Sequence, residues 1–258
     1  MPLAADLYYF AHKAENLNRP PVILIHGAGG THLNWPPQVR RLAGQLIFAL
    51  DLPGHGKSAG IGRQSIVEYA RDVVEFMQAL KLRSAVMVGH SMGSAIALTL
   101  ALHFPKRVLG LGLLGAGAKL RVAPAILEAL STPNTFAAGV QMVTEAAYAA
   151  QSDSRLKELG AQQMAETRPA VLYGDFLACD AFNVINSLHR IHVPTLILVG
   201  AEDRLTPPRY AELLHSQIAG STLKVVPAAG HMVMLEQPHA VAAALAEFLE
   251  GIPFVAGK

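Results

Sequence analysis

One cysteine, Cys179, stands among 258 residues, so no internal disulfide can form and nothing in the chain depends on an oxidising compartment. Charge is sparse as well: Asp, Glu, Lys and Arg make up 16% of the chain, against about 25% in an average soluble protein. Twenty-one Lys and Arg against nineteen Asp and Glu leave a formal charge of +2. No run of one sign marks a nucleic-acid tail or a membrane patch. The longest apolar stretch, Val108 to Ala118, is interrupted by Gly110, Gly112, Gly115 and Gly117 and falls well short of the ~20 residues that span a bilayer. The start of the chain has no basic region and carries Asp6 before any apolar stretch builds up, so it does not read as a secretory signal, and a cytoplasmic setting is expected. There is no His-Glu-x-x-His motif and no cysteine cluster, so neither a metal nor another cofactor is expected.

What the chain does have is apolar material. Hydrophobic residues make up 52%, enough for the large core of a single domain of the bigger α/β kind. Short continuous apolar runs recur at Val22–Ile25, Leu46–Leu50, Ala85–Val88, Leu109–Leu114, Thr195–Val199 and Leu223–Val226. Runs without polar alternation are buried on both faces, the mark of a parallel sheet. Helix-length segments lie between them. From Ser65 to Leu80, Ile66, Tyr69, Ala70, Val73, Val74, Met77 and Leu80 share one stripe, with Glu68, Arg71, Asp72 and Glu75 mostly opposite. Ala95–His103 and Val241–Leu249 read the same way, and right-handed crossovers put helices on both faces of the sheet. Leu7–Ala11 suits an antiparallel edge strand.

The alternation stops between Ala116 and about Arg190, where helical stretches are expected near Pro124–Leu130, Phe136–Ala150, Ser154–Glu166 and Leu172–Leu188. This divides the chain into core (1–115), helical cap (116–190) and core (191–258). An insertion between two sheet strands suits a lid over the carboxyl ends of the strands, where open α/β folds place their ligands.

Gly89-His90-Ser91-Met92-Gly93 matches Gly-x-Ser-x-Gly and stands between the strand Ala85–Val88 and a helical run. The pentapeptide alone would also suit an inert small-residue turn; its strand-to-helix context favours a sharp, strained turn that exposes Ser91 Oγ. A serine hydroxyl needs an adjacent base that is oriented by a third group. Of the eleven histidines, His231 in Ala228-Ala-Gly-His-Met232 follows the last strand and precedes the C-terminal helix, a strand-end loop suited to catalysis. His12, His55, His103, His189, His215 and His239 are assigned to turns or solvated faces, and His26 and His90 flank glycine turns where they could line the site. For the acid, Asp203 is preferred to Glu202 in the loop after Thr195–Val199; Asp203 would also serve as a turn or cap residue ahead of Pro207 and Pro208.

Negative charge on a tetrahedral intermediate needs backbone N–H donors. His26-Gly27-Ala28-Gly29-Gly30 follows a strand end, so the N–H groups of Ala28 and of Met92, just after the serine, are the expected pair. Asp51 to Ser58 is a second glycine-rich loop; it lacks the spacing of a phosphate-binding loop and reads as structural. His32 and Trp35 are candidate ligand contacts beyond the first turn. In the cap, Phe136, Met142, Tyr148, Met164, Tyr173, Phe176 and Phe182 are candidates either for an apolar pocket, Phe136 and Tyr173 in particular, or for the cap's own core.

Together His26–Gly30, Asp51–Ser58, Gly89–Gly93, Val193–Gly200 with Asp203, and Ala229–His231 with Leu235–Pro238 resemble the α/β-hydrolase fold family, in its small, capped, esterase-like serine branch. The resemblance implies a mostly parallel sheet with helices on both faces and a helical cap inserted before the acid-bearing strand. It also implies the chain order nucleophile, acid, histidine, carried by Ser91, Asp203 and His231. Haloalkane dehalogenases and epoxide hydrolases use a carboxylate nucleophile where this chain has Ser91. Carbon–carbon hydrolases show a longer Gly-Gly-Gly-Pro-Gly turn than Gly27–Gly30. Ester cleavage of a small, partly apolar acyl substrate is the leading expectation. Carbon–carbon cleavage, lactone cleavage and perhydrolysis or haloperoxidation remain open on the same triad. From another class, ligand binding with slow or no turnover also remains.

Overall fold

The computed structural model describes residues 2–13 and 19–253. Eight strands, β1 (Leu3–Ala4), β2 (Leu7–His12), β3 (Val22–Ile25), β4 (Ile47–Leu50), β5 (Ala85–His90), β6 (Val108–Leu114), β7 (Thr195–Gly200) and β8 (Thr222–Val226), form one sheet in the order β1-β2-β4-β3-β5-β6-β7-β8. The pairs β1–β2 and β2–β4 are antiparallel, and every other pair is parallel. The six strands expected of the parallel sheet are all present, and Leu7–Ala11 is antiparallel as expected; it is not the edge, however, because β1 pairs along its outer side. β1, two residues long, was too short for any periodicity to reveal.

Ten helices accompany the sheet among the described residues: α1 (Pro37–Arg40), α2 (Ile66–Ala79), α3 (Met92–His103), α4 (Pro124–Leu130), α5 (Phe136–Ala147), α6 (Ser154–Glu166), α7 (Pro169–Ala181), α8 (Pro208–Gln217), α9 (Val233–Glu236) and α10 (Pro238–Glu250). Alternate residues of a strand point to opposite faces, and here they feed two cores. Ile23, Ile25 and Met87 join Tyr69, Phe76, Ile96 and Leu100 on the face covered by α2 and α3. Val22, Leu24, Val86 and Val88 join Trp35, Val39, Val241 and Leu245 on the face covered by α1 and α10. This is why the strands read as unbroken apolar runs. No helix among the described residues is long and apolar enough to cross a membrane.

Helices α4 to α7 occupy the chain between β6 and β7 and hold a third apolar cluster, centred on Ile126, Leu130, Val140, Val143 and Leu172. The helix expected over Leu172–Leu188 ends instead at Ala181 and is followed by a 3-10 turn, Ile185–Arg190. Asn183 explains the break: its side chain takes the Ile185 N–H at 3.2 Å, and its backbone bridges to Lys119. Asp72, placed on the polar face of its helix by periodicity, is buried, because Arg63 reaches it with two hydrogen bonds of 2.9 and 2.7 Å. α8, which sequence periodicity did not single out, packs Ala211 and Leu214 onto the α2–α3 face.

Candidate active site

The carboxyl ends of the parallel strands converge on one cavity of about 210 Å³. Ser91 stands at the junction of β5 and α3 with φ 53° and ψ −117°, a left-handed backbone that a non-glycine residue adopts only when its surroundings hold it there. Its N–H donates to Leu114 O at 2.9 Å, and the Ser94 hydroxyl ties the same turn to Gly89 O and Leu114 O at 2.7 and 3.0 Å. Gly93 lets α3 pass over the end of β3: a Cβ there would lie 2.1 Å from Ile25 O. Gly93→Ala is therefore expected to cost about 1–3 kcal/mol through a forced shift of α3, read as a lower urea midpoint with unchanged slope; a midpoint equal to wild type would show that the turn accommodates a side chain.

Asp203 lies just past β7 and His231 past β8, both buried. Asp203 Oδ1 accepts the N–H groups of Leu205 (2.9 Å) and Thr206 (2.8 Å), so the turn-forming and histidine-facing readings of this residue are both realised. Its Oδ2 accepts from His231 Nδ1 at 2.9 Å and from the Thr206 hydroxyl at 2.8 Å. A carboxylate can only accept, which assigns the proton to Nδ1 and leaves Nε2 as the basic nitrogen. Burial alone would raise the Asp203 carboxyl; His231, by charge and hydrogen bond, and Thr206 hold it below its ordinary value. Glu202 instead takes an exposed hydrogen bond from Gln151. Ser91 and His231 both open onto the cavity, and no hydrogen bond joins their side chains among the described residues; such contacts commonly tighten only when substrate binds.

His26 and His90 brace this arrangement. Leu52 N–H donates to His26 Nε2 at 3.0 Å, so Nδ1 carries the proton and donates to Gly27 O at 2.7 Å. His90 Nε2 donates to His231 O at 2.9 Å, with the two rings 4.7 Å apart. The N–H groups of Ala28 and Met92 donate to no other group among the described residues. Ala28 is on the cavity wall, and Met92 is buried as the first residue of α3.

The remaining candidates divide. Tyr148, Met164 and Phe176 line the cavity, whereas Phe136 and Tyr173 pack against the insertion's own apolar cluster, Phe182 joins the main core and Met142 faces solvent. His32 and Trp35 are off the wall too. Asp51 accepts both His32 N–H (2.6 Å) and Nδ1 (2.8 Å), drawing that side chain inward, and Trp35 is fully buried under α1. Asp51 also takes Lys57 N–H at 2.9 Å, in keeping with a structural role for its loop. His55, expected on a turn or solvated face, is buried and bonded to Asp175 at 2.7 Å. Two further residues escaped the sequence reading. Thr206 could have been found from its place three residues after Asp203, where a side-chain-capped turn is common. Glu236 accepts Gly230 N–H at 2.9 Å and Ala149 N–H at 2.8 Å, joining the histidine loop to the insertion; it lies in the Leu235–Pro238 segment that carried the resemblance, which gave it no role of its own.

A mostly parallel sheet with a strained serine at one strand end and an Asp–His pair at two others defines a hydrolase of the α/β class. The model of the alpha/beta hydrolase family matches residues 22–244, and the chain belongs to that family. A pimeloyl-[acyl-carrier protein] methyl ester esterase from Neisseria meningitidis serogroup C is 31% identical over 251 residues, covering 90% of this chain and 94% of its own. Among solved structures, a thermophilic esterase shares 34% identity with a TM-score of 0.81, covering 96% of this chain and 100% of that one. An N-acyl homoserine lactone degrading enzyme shares 29% with a TM-score of 0.81, covering 94% and 96%.

Proposed function

We propose that the chain is a serine esterase acting on a small, partly apolar carboxylic ester through an acyl-enzyme. The observation that carries this reading is the Asp203–His231 hydrogen bond in the cavity onto which strained Ser91 opens. Ser91 Oγ attacks the ester carbonyl while His231 Nε2 takes the hydroxyl proton. The N–H groups of Ala28 and Met92 hold the resulting oxyanion, and Asp203 steadies the imidazolium. Collapse breaks the bond to the alcohol, which leaves with the proton from His231. A water molecule then gives its proton to His231 and attacks the acyl carbon; the acid departs and Ser91 regains its proton. Helices α4 to α7 act as the cap, and Ile126, Val143, Met164 and Phe176 give it an apolar inner wall. A lactone is a cyclic ester that would follow the same steps, and the likeness to a lactone-degrading enzyme makes it the second substrate to assay.

The test is multiple-turnover kcat/KM on p-nitrophenyl esters of increasing acyl length, together with the intact mass after treatment with a fluorophosphonate. Sustained turnover that peaks and then declines as the acyl chain outgrows the cavity is expected, with one phosphonyl adduct on Ser91. Folded protein that turns over no ester and takes no adduct would overturn the reading.

A further inference from the structure

A second hollow, of about 460 Å³, lies beside the Ser91 cavity, between the glycine-rich stretch 54–60 and the carboxyl end of α6, with Gly56, Ser58, Glu166 and Thr167 on its wall. Among the described residues, Gln163 of α6 alone lines both spaces. Its amide is pinned. Gln163 Nε2 donates to Thr31 Oγ1 at 2.8 Å and to Asn34 Oδ1 at 2.7 Å, which uses both amide hydrogens. The two acceptors are fixed by the 3-10 turn His32–Asn34: Asn34 Oδ1 also takes Thr31 N–H at 2.7 Å, and Thr31 Oγ1 takes Leu33 N–H at 3.2 Å. Four residues further on, the Thr167 hydroxyl donates to Gly29 O at 3.2 Å. No residue of α6 is fully buried, so these polar contacts, rather than apolar packing, hold this end of the helix against the turns after β3. Asn34 is on the wall of the Ser91 cavity and Thr31 on that of the second hollow. The three side chains form a partition between them.

The sheet order says which part of a substrate meets this partition. Ser91 follows β5, which has β6, β7 and β8 on one side and β3 on the other. Asp203 and His231 come after β7 and β8. The departing alcohol takes its proton from His231 and so occupies that side. The acyl chain then runs the other way, over the turn after β3 and toward Asn34 and Gln163. Met164, also on the cavity wall, gives that end an apolar surface beside Gly29, where an added Cβ would lie 3.2 Å from Met164 Cγ.

We propose that Gln163 sets the acyl-length limit: its side chain, tied across to Thr31 and Asn34, closes the acyl end of the Ser91 cavity and shuts it off from the second hollow. The proposal rests on the esterase reading. Gln163→Ala opens the partition, so the optimum of kcat/KM on p-nitrophenyl esters should move to a longer acyl chain. The ester two carbons longer than the wild-type optimum should gain roughly 10-fold over its wild-type value, the scale on which a pocket discriminates a methylene it cannot fit. Gln163→Met keeps the bulk and gives up both hydrogen bonds, so it should keep the wild-type optimum. A link that only joins α6 to the core would show otherwise. Both variants would then change kcat/KM for every ester by one common factor with the optimum unmoved, and that result overturns the proposal. An optimum that moves equally in both variants overturns it too, because the bulk of the side chain would not be what sets the limit. Should Gln163→Ala not fold, Gln163→Ser is read in the same way. Failure of the esterase reading would show separately, as turnover surviving Ser91→Ala.

Discussion

Replacing Ser91 with alanine is expected to lower kcat/KM for the best p-nitrophenyl ester by about 10⁴-fold or more. Alanine keeps the Cβ, so the strained turn, its Ser94 hydrogen bonds and the α3 packing should survive, and Tm should stay near wild type. What disappears is the hydroxyl proposed to form the acyl-enzyme. The residual rate would come from water held between His231 and the oxyanion donors. Asp203→Asn should give a loss of similar size by another route. An amide presents a donor as well as an acceptor to His231 Nδ1, so the proton is no longer fixed there and Nε2 is no longer reliably free to act as base. Glu202→Gln, on a neighbouring half-buried residue whose side chain takes a solvent-exposed hydrogen bond from Gln151, should leave the rate near wild type. Undiminished turnover from folded Ser91→Ala would remove the serine from its role.

Stability should fall on mild acidification. Burial lowers His26 to about 4 and His90 to about 3, from 6.5 for a free histidine; a second imidazole nearby adds to the shift in each case. Both are neutral in the fold and bind protons readily only once unfolded. The unfolded chain therefore takes up more protons as pH drops below about 6.5, and the native state loses ground. At about 1.4 kcal/mol per pH unit for each group, the pair should cost about 3 kcal/mol between pH 6.5 and 5, a large share of the ~5–15 kcal/mol typical of a whole domain. His55 works in the opposite sense at higher pH. Burial would lower it, but Asp175 and the Pro53 carbonyl raise it above 6.5, so its contribution is complete below that value and is lost as pH rises through its folded pKa. Asp51 and Asp203 are held below 3.8 and lose their contribution only in stronger acid. Urea unfolding at about pH 6.5 and 5 measures the effect. His90→Gln, which can still donate to His231 O, should reduce it to about half. Equal stability at the two pH values would mean that the histidines are not held neutral.

The sequence by itself determined the parallel sheet, the sharp turn at Ser91 and the strand-end positions of Asp203 and His231. Each is written in a few contiguous residues: an unbroken apolar run, glycines where backbone must meet backbone, a polar residue just past a strand. Strand ends of a parallel sheet lie together, so locating those residues along the chain nearly located them in space. The tertiary structure alone decided which side chains face the cavity and which hold its parts in place. Phe136, Phe176 and Tyr173 look alike in an amphipathic pattern, yet only Phe176 turns to the wall. A helical stripe gives the buried face but not the rotation of the helix over the sheet. His55 and Asp175 show the same limit: apart, one is a turn residue and the other a lone charge in an apolar helix. Packing α7 against the core brings them within 2.7 Å across 120 positions of chain, and a contact of that span leaves no local pattern to read.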